Sequence, residues 1–394
     1  MPVTLVIDLF LVLLLIGYLT YGFRTGLMRS IGGIVGVVGG GMAAYFAIPF
    51  IGRLVPAPEW RAFSVLLLVL VMLAIGHSVG AALGHAIRKH LRAQPLRTLD
   101  RVLGAGVNVV VSALVVSVLA AGVTSLGVPL LSPAVASSGV VRAIDGATPD
   151  PVKSFLAQAR SFAIEEGLPL IADAFGPTAP PPIPDIDTST GPLSVAAQSV
   201  VRISGTAYSC GQSQSGTGFV VAPERVMTNA HVLAGVEEPV VEAPGAGGRT
   251  GRIVYFDPVD DVAVIAVPGL PTPPLSINPE LGPGARGVVD GYPFGGPFTS
   301  RPAEVVSIDT IVVPDIYGDD PSPRQVFVLA AEVDPGNSGG PFLDQEGAVA
   351  GVIFGRGENT ENVGYALTLE EVGEVLDQAP ALTDAVPSGE CVRG

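Results

Sequence analysis

The chain has 394 residues, 48% of them hydrophobic and only 14% charged, with a mean hydropathy of +0.53. Soluble domains carry about 25% charged residues, which argues against a wholly soluble protein. A wholly embedded one is disfavoured by the charge distribution: residues 1–130 hold 9 Lys+Arg and 3 Asp+Glu, net +6, and residues 131–394 hold 12 and 33, net −21. A basic, apolar front and an acidic, Gly/Pro-rich back predict a membrane anchor carrying a soluble domain. The acidic half repels phosphates, so no nucleic-acid partner is expected.

Four stretches have the roughly 20 apolar residues needed to cross a bilayer. They are Val3 to Gly22, the uncharged gap between Arg29 and Arg53, the gap between Arg61 and Arg88, and the run from Arg101 to about Leu126. Residues 1–127 therefore read as a four-helix transmembrane domain, with the lipid bilayer as partner. No basic residue precedes the first stretch and three more follow, so it reads as a span and not as a cleaved signal. The loop after the first helix carries Arg24 and Arg29, and the loop after the third carries Arg88, Lys89, Arg92, Arg97 and Arg101. The positive-inside rule places that side in the cytoplasm and everything after the fourth helix outside it.

Gly32, Gly36 and Gly40, and again Gly76, Gly80 and Gly84, repeat at the spacing that lets helix backbones approach closely. The ridges serve either packing within the bundle or an oligomer interface, and the first is expected. Asp8 and His77 are ionisable groups inside spans, a feature of relays and transporters, although Asp8 lies near a helix end and can snorkel. Asp8-Leu-Phe followed by Tyr21-Gly-Phe-Arg-Thr-Gly26 resembles the start of the colicin-V-production type of membrane domain.

Residues 128–187 read as an Ala/Ser/Pro-rich linker, with an amphipathic helix expected around Val152–Glu166. The stretch from Gly176 to Pro184 is a polyproline-like spacer. From 188 to 394 the pattern turns to short β-type runs broken by Gly, Pro and Asn, among them Gly218-Phe-Val-Val221 and Val262-Ala-Val-Ile-Ala-Val267. Many short strands with turn signals predict an all-β sandwich or barrel. The length suits two small antiparallel barrels.

Of four histidines, only His231 lies outside the membrane part, so any imidazole base there is His231 and a multi-histidine zinc site is excluded. No metal and no cofactor is expected. His231 sits in Thr228-Asn-Ala-His-Val232, Asp261 in Asp260-Asp261-Val-Ala-Val, and Ser338 in Asp334-Pro-Gly-Asn-Ser-Gly-Gly-Pro341. A serine among glycines suits a tight turn whose backbone N–H groups converge, as an oxyanion hole requires. Asp260 and Asp261 are adjacent, and strand alternation would let only one face the imidazole.

The order His, Asp, Ser within these motifs resembles the chymotrypsin-fold serine proteases, closest to the HtrA-like branch, over about Ser199 to Gln378. With the four-helix anchor, the whole chain resembles the MarP-like family of membrane-anchored acid-resistance proteases. The resemblance implies a double β-barrel periplasmic protease that hydrolyses protein or peptide substrates of the cell envelope, in acid or envelope stress. It implies Ser338 as nucleophile, His231 as base and Asp261 as its orienting carboxylate, with the N–H groups of Gly336 and Ser338 forming the oxyanion hole.

Trypsin-like zymogens carry Asp where this chain has Asn337, so activation by an N-terminal salt bridge is not expected. The 56 residues after Ser338 leave no room for the PDZ domain of HtrA proteins. Glu332 falls where this fold places the base of the P1 pocket, with Val352–Phe354 and Asn362–Ala366 as walls, which predicts a hydrophobic P1 residue with Glu332 turned aside. Gly291-Tyr-Pro-Phe-Gly-Gly-Pro297 reads as a structural turn, with a place beside the cleft as the alternative. Cys210 and Cys391, an even pair outside the cytoplasm, are expected to form a disulfide. The competing reading is a membrane scaffold or transporter with a protease-like sensor domain.

Overall fold

The computed structural model describes residues 3–54, 58–88, 94–125, 131–161, 168–171, 176–177, 179–208, 212–277 and 281–392. The chain divides into two compact units, one spanning Asp8–Ser117 and the other holding Val118 onward with the first seven residues.

The first unit holds the whole of α2 (Leu27–Leu54) and α3 (Pro58–Arg88) and most of α1 (Val3–Thr25) and α4 (Gln94–Ser125). All four contain windows long and apolar enough to span a membrane. Leu5, Leu9, Phe10 and Leu13 on α1 are half or more exposed, as side chains meant for lipid would be. The glycine ridges lock α2 to α3: a Cβ on Gly36 would collide with the Gly76 carbonyl oxygen, and one on Gly80 with that of Gly32. Both ridges are therefore used inside the bundle, where the missing side chains let the backbones touch. His77 lies against Gly33, at whose position a Cβ would sit 2.8 Å from the ring Cε1. The α1–α2 corner turns on Gly26 (φ 80°) above the buried Asp100, whose carboxylate accepts the Met28 N–H at 3.0 Å and pairs with Arg88 Nε at 2.8 Å.

The second unit begins with three short helices, α5 (Leu131–Ala136), α6 (Gly139–Ala147) and α7 (Asp150–Ser161), and the two-residue strand β1 (Leu170–Ile171). Ser138 caps α6 through the Val141 N–H at 3.1 Å, which satisfies one of the free donors of a first turn. The helix expected around 152–166 is α7; residues 162–166 lie outside the described residues. This segment does more than space: Ala136 and Ser137 pack on Gly248 and Gly247, and Ala157 packs on Gly296. These small side chains approach closely because the glycines they meet carry no Cβ to hold them off.

A single turn, α8 (Gly191–Ala196), leads into the strands β2 (Val200–Ala207), β3 (Gln212–Ala222), β4 (Arg225–Thr228), β5 (Val240–Ala243), β6 (Gly247–Thr250), β7 (Arg252–Asp257) and β8 (Val262–Ala266). They form one antiparallel sheet in the order β6-β5-β2-β3-β4-β8-β7. The strands β9 (Arg286–Gly291), β10 (Thr299–Val313), β11 (Ser322–Ala330), β12 (Pro341–Asp344), β13 (Val349–Gly357) and β14 (Val363–Thr368) form the second sheet, which closes on itself through β13 and β14. Strand β1 joins that sheet on β13, in parallel. Val201, Ile203, Val220, Leu233 and Ile265 fill the first barrel; Phe327, Leu329, Phe342 and Ile353 fill part of the second, with Phe327 and Phe342 edge to face at 5.8 Å. The last helix, α9 (Leu369–Gln378), buries Leu369, Val372, Val375 and Leu376, a helical stripe, on the second barrel. The fold is that of a trypsin-like double barrel.

Candidate active site

His231 follows β4, on a tight turn that also carries Asn229. Its Nδ1 lies 2.7 Å from Asp261 Oδ2, and its own backbone N–H donates to Asp261 Oδ1 at 2.9 Å. One carboxylate thus holds both the ring and the main chain of the histidine. Asn229 Nδ2 donates to the Asp261 carbonyl oxygen at 2.8 Å and fixes the other side of that residue. Asp261 is buried and precedes β8 with φ 56°. It is this left-handed turn, and not strand alternation, that turns Asp261 toward the ring.

Asp260 does not reach the imidazole. Its backbone N–H donates to Asp257 Oδ1 at 3.1 Å. Partial burial, and then the neighbouring Asp257, push its carboxyl above the usual range, while Arg324 pulls it down. Arg324 is itself buried, donates to the Val259 and Pro314 carbonyl oxygens and lies 6.0 Å from the Phe354 ring centroid. It pins the turn from which Asp261 projects.

Ser338 sits on the turn between β11 and β12, shaped by two glycines in the left-handed region, Gly336 (φ 93°) and Gly339 (φ 78°). A side chain on Gly339 would collide with Thr228 Oγ1 and the Thr217 carbonyl oxygen, so only glycine lets the serine turn approach the histidine turn. Ser338 Oγ and His231 Nε2 are both buried, and neither has a hydrogen-bond partner among the described residues. The N–H groups of Gly336 and Ser338 likewise donate no hydrogen bond among them. The arrangement offers a hydroxyl, an imidazole nitrogen and two main-chain donors without internal partners, beside a carboxylate that fixes the imidazole.

Asn337 acts locally: its Oδ1 accepts the Asp334 N–H at 3.0 Å, closing the turn before the serine. Thr217, on β3 of the other barrel, is a hub that the sequence did not flag. Its N–H donates to the Ser338 carbonyl oxygen at 2.8 Å, and its hydroxyl donates to the Gly336 carbonyl oxygen at 2.6 Å and accepts the Tyr292 N–H at 3.0 Å. A threonine in a β-strand carries no signal of such a role.

The Gly291–Pro297 segment is a structural turn that also backs the serine loop. The Phe294 N–H donates to the Pro335 carbonyl oxygen at 2.6 Å, and a Cβ on Gly336 would meet the Tyr292 carbonyl oxygen at 2.5 Å. Arg202, ion-paired with Glu242 at 2.7 Å, holds the Gly295 carbonyl oxygen at 2.8 Å. Burial raises the Tyr292 phenol above its ordinary range. Asp290, beside this turn, is fully buried; burial, opposed by the nearby Ser300 hydroxyl, pushes its carboxyl up to about 7.

Glu332 is 59% exposed and pairs with Arg301 at 3.4 Å, while Arg301 also holds Asp334 at 2.8 Å. Its carboxylate is engaged at the surface. Val352 and Phe354 belong to one buried cluster, and Ile353 and Ala366 to another. Cys210 lies outside the described residues; Cys391 is described and is not a free thiol. The tail that carries it lies on the first barrel, where the Gly235 N–H donates to the Ser388 carbonyl oxygen at 3.1 Å. No group of three His, Cys, Asp or Glu side chains suited to a metal occurs among the described residues.

Residues 216–352 match the trypsin-like peptidase domain family, and residues 7–149 match the colicin V production protein family. The chain is 38% identical over 377 residues to the serine protease Rv3671c of Mycobacterium tuberculosis, an alignment that covers 94% of each. The crystal structure of Rv3671c protease in its active form superposes with a TM-score of 0.52 at 41% identity, covering 56% of this chain and 98% of that one. A DegP-like probable periplasmic serine endoprotease of Halomonas elongata is 30% identical over 173 residues, which is 41% of this chain and 34% of that protein.

Proposed function

The chain belongs to the MarP-like family of membrane-anchored serine proteases, and on that premise we propose that Ser338, His231 and Asp261 are its catalytic groups. The observation that carries this reading is the 2.7 Å contact that fixes His231 Nδ1 on Asp261, with Nε2 and Ser338 Oγ buried and free of hydrogen-bond partners among the described residues. Ser338 Oγ attacks the scissile carbonyl carbon as His231 Nε2 takes its proton, forming a tetrahedral oxyanion. The N–H groups of Gly336 and Ser338 stabilise that oxyanion, each contributing about 3–4 kcal/mol to the barrier reduction. The imidazolium, stabilised by Asp261, then protonates the leaving amine. Water, deprotonated by the same imidazole, cleaves the acyl-enzyme.

The four helices tether this serine endopeptidase to the membrane. The seven positive charges of the first and third loops favour a periplasmic protease, which would cleave cell-envelope or misfolded proteins in acid or envelope stress. We propose the divisions 1–127, 128–187 and 188–394 for anchor, connecting segment and protease, with parts of the connecting segment packed on the barrels. Cys391 lies beside Gly235 on the first barrel, which supports a Cys210–Cys391 disulfide tying the tail to that barrel.

Exchange of the nucleophile tests the reading directly. Ser338→Ala is expected to abolish peptide hydrolysis and fluorophosphonate labelling in a folded protein. Turnover equal to the unsubstituted chain would overturn it, and an unsubstituted chain that neither hydrolyses peptide nor labels would favour the sensor alternative. Alkaline phosphatase fused after Gly394 is expected to be active; an inactive fusion at normal expression would invert the topology.

A further inference from the structure

Strand β13 carries one edge straight out of the nucleophile turn. The Gly339 N–H donates to the Ile353 carbonyl oxygen at 2.8 Å, and the Ile353 N–H donates to the Gly340 carbonyl oxygen at 2.9 Å. Beyond Ile353 that edge runs on from Phe354 to Gly357 while the opposite edge pairs with β14, Gly355 with Tyr365 and Arg356 with Gly364. An unpaired edge that starts at a nucleophile is where an extended peptide adds as a further strand. In this chain the edge is taken. The Arg356 N–H donates to the Pro169 carbonyl oxygen at 3.1 Å and the Glu358 N–H to the Ile171 carbonyl oxygen at 3.0 Å.

The side chains fit the same picture. Ile171 is 5% exposed, and Gly355 has no side chain to keep it off: a Cβ there would lie 3.1 Å from both Ile171 Cγ1 and the Pro169 carbonyl oxygen. The parallel register pairs Leu170 with Arg356, so Leu168 is the end of the segment nearest the nucleophile turn. Leu168 is buried in the cluster that holds Val333, Ile353 and Ala366, residues of the region where an apolar P1 pocket is expected.

We propose that residues 168–171, ahead of the protease proper, are a strap that occupies the substrate-binding edge of β13 in cis, so that an extended substrate binds only as the strap leaves. This rests on Ser338 being the nucleophile. Two main-chain hydrogen bonds and two buried aliphatic side chains hold the strap against the entropy of ordering its four residues, and the net effect of displacing it is to weaken substrate binding by about ten-fold.

The test uses the full chain in detergent, with Leu168→Ser/Ile171→Ser as the variant. Its kcat/KM for a tetrapeptide amide with an apolar P1 residue is expected to rise about ten-fold, chiefly through KM, with Ser338 still fully labelled by a fluorophosphonate. An unchanged or lower kcat/KM with full labelling would show that the segment only supports the fold. Failure of the unsubstituted chain to label would sink the protease reading itself. If only the variant fails to label, amide exchange on the unsubstituted chain decides. A tetrapeptide aldehyde should speed exchange over 168–171, and unchanged exchange would overturn the strap.

Discussion

The two units of this molecule solve the same packing problem in opposite ways. Helices α2 and α3 meet where side chains are missing, glycine against glycine carbonyl, because lipid gives no hydrophobic reason for large residues to hide from it. The barrels are packed by large side chains, Phe219, Phe342, Ile265 and Leu329 among them, because water does supply that reason. Polar chemistry divides in the same way. The helical unit buries the Asp100–Arg88 pair at one corner, and the protease unit concentrates its buried polar groups around Ser338 and His231. In the first, a side chain added anywhere along the seam is the danger; in the second, it is a polar group exchanged at the site.

The largest expected effect lies in the protease unit. Asp261→Asn should lower kcat at neutral pH by about 10⁴, the cost of losing the orienting carboxylate in the type case of this mechanism. Asp260→Asn should keep most activity, since its side chain does not reach the ring. Peptide turnover by the two purified variants checks this, and the reverse order would reassign the carboxylate.

Reduction of the proposed Cys210–Cys391 bridge comes next. With 180 residues between the two cysteines, chain-entropy arithmetic gives about 5 kcal/mol, an upper value because denatured chains keep some structure. The protease unit should melt lower in reductant, whereas the helical unit, which holds no cysteine, should not shift. Equal protease melting points with and without reductant would contradict the bridge.

A buried carboxyl gives the pH dependence its sign. Asp290 is pushed from 3.8 up to about 7 by burial, so the folded state holds its proton more tightly than the unfolded chain does. The cost of ionising it is absent below about pH 4, grows between pH 4 and 7, and is complete above pH 7. At 1.36 kcal/mol per pKa unit this is ~4 kcal/mol. The stability of Asp290→Asn relative to the unsubstituted chain, measured by urea unfolding, should therefore improve by that order between pH 4 and pH 8. A difference that does not change with pH would show that Asp290 is not a buried acid.

The smallest effect tests the helical side. Gly36→Ala forces a methyl onto the Gly76 carbonyl and should cost the bundle about 1–3 kcal/mol, read by detergent unfolding. Hydrolysis of a small ester by Ser338 should be unchanged. A stable bundle after this exchange would show that α2 and α3 separate at little cost.

Period and composition made much of this legible in the sequence. Four apolar runs of bilayer length and short Val-rich runs between turn residues depend on nearest neighbours along the chain, and so did the glycine ridges. His231 stood out as the single histidine outside the membrane part, and Ser338 as a serine in a glycine-rich turn, both within motifs whose order resembles that of the chymotrypsin-fold proteases. What stayed hidden depends on residues distant in sequence. Thr217 clamps Gly336 across 119 residues, and a β-strand threonine looks the same whether or not it does so. The resemblance already named Asp261 over Asp260, but the left-handed φ of 56° that turns its carboxylate to the ring is something no alternation rule foresees.

The sequence by itself determined that there would be a membrane anchor, a β-rich acidic domain and one imidazole available for chemistry, because hydropathy, period and residue counts are properties of the chain alone. Only the tertiary structure decided how Asp261 reaches His231, that both glycine ridges are spent within one bundle, and that residues 168–171 lie on the edge of β13. Those outcomes depend on hydrogen bonds and close contacts between segments far apart in sequence, and such pairings exist only once the chain has folded.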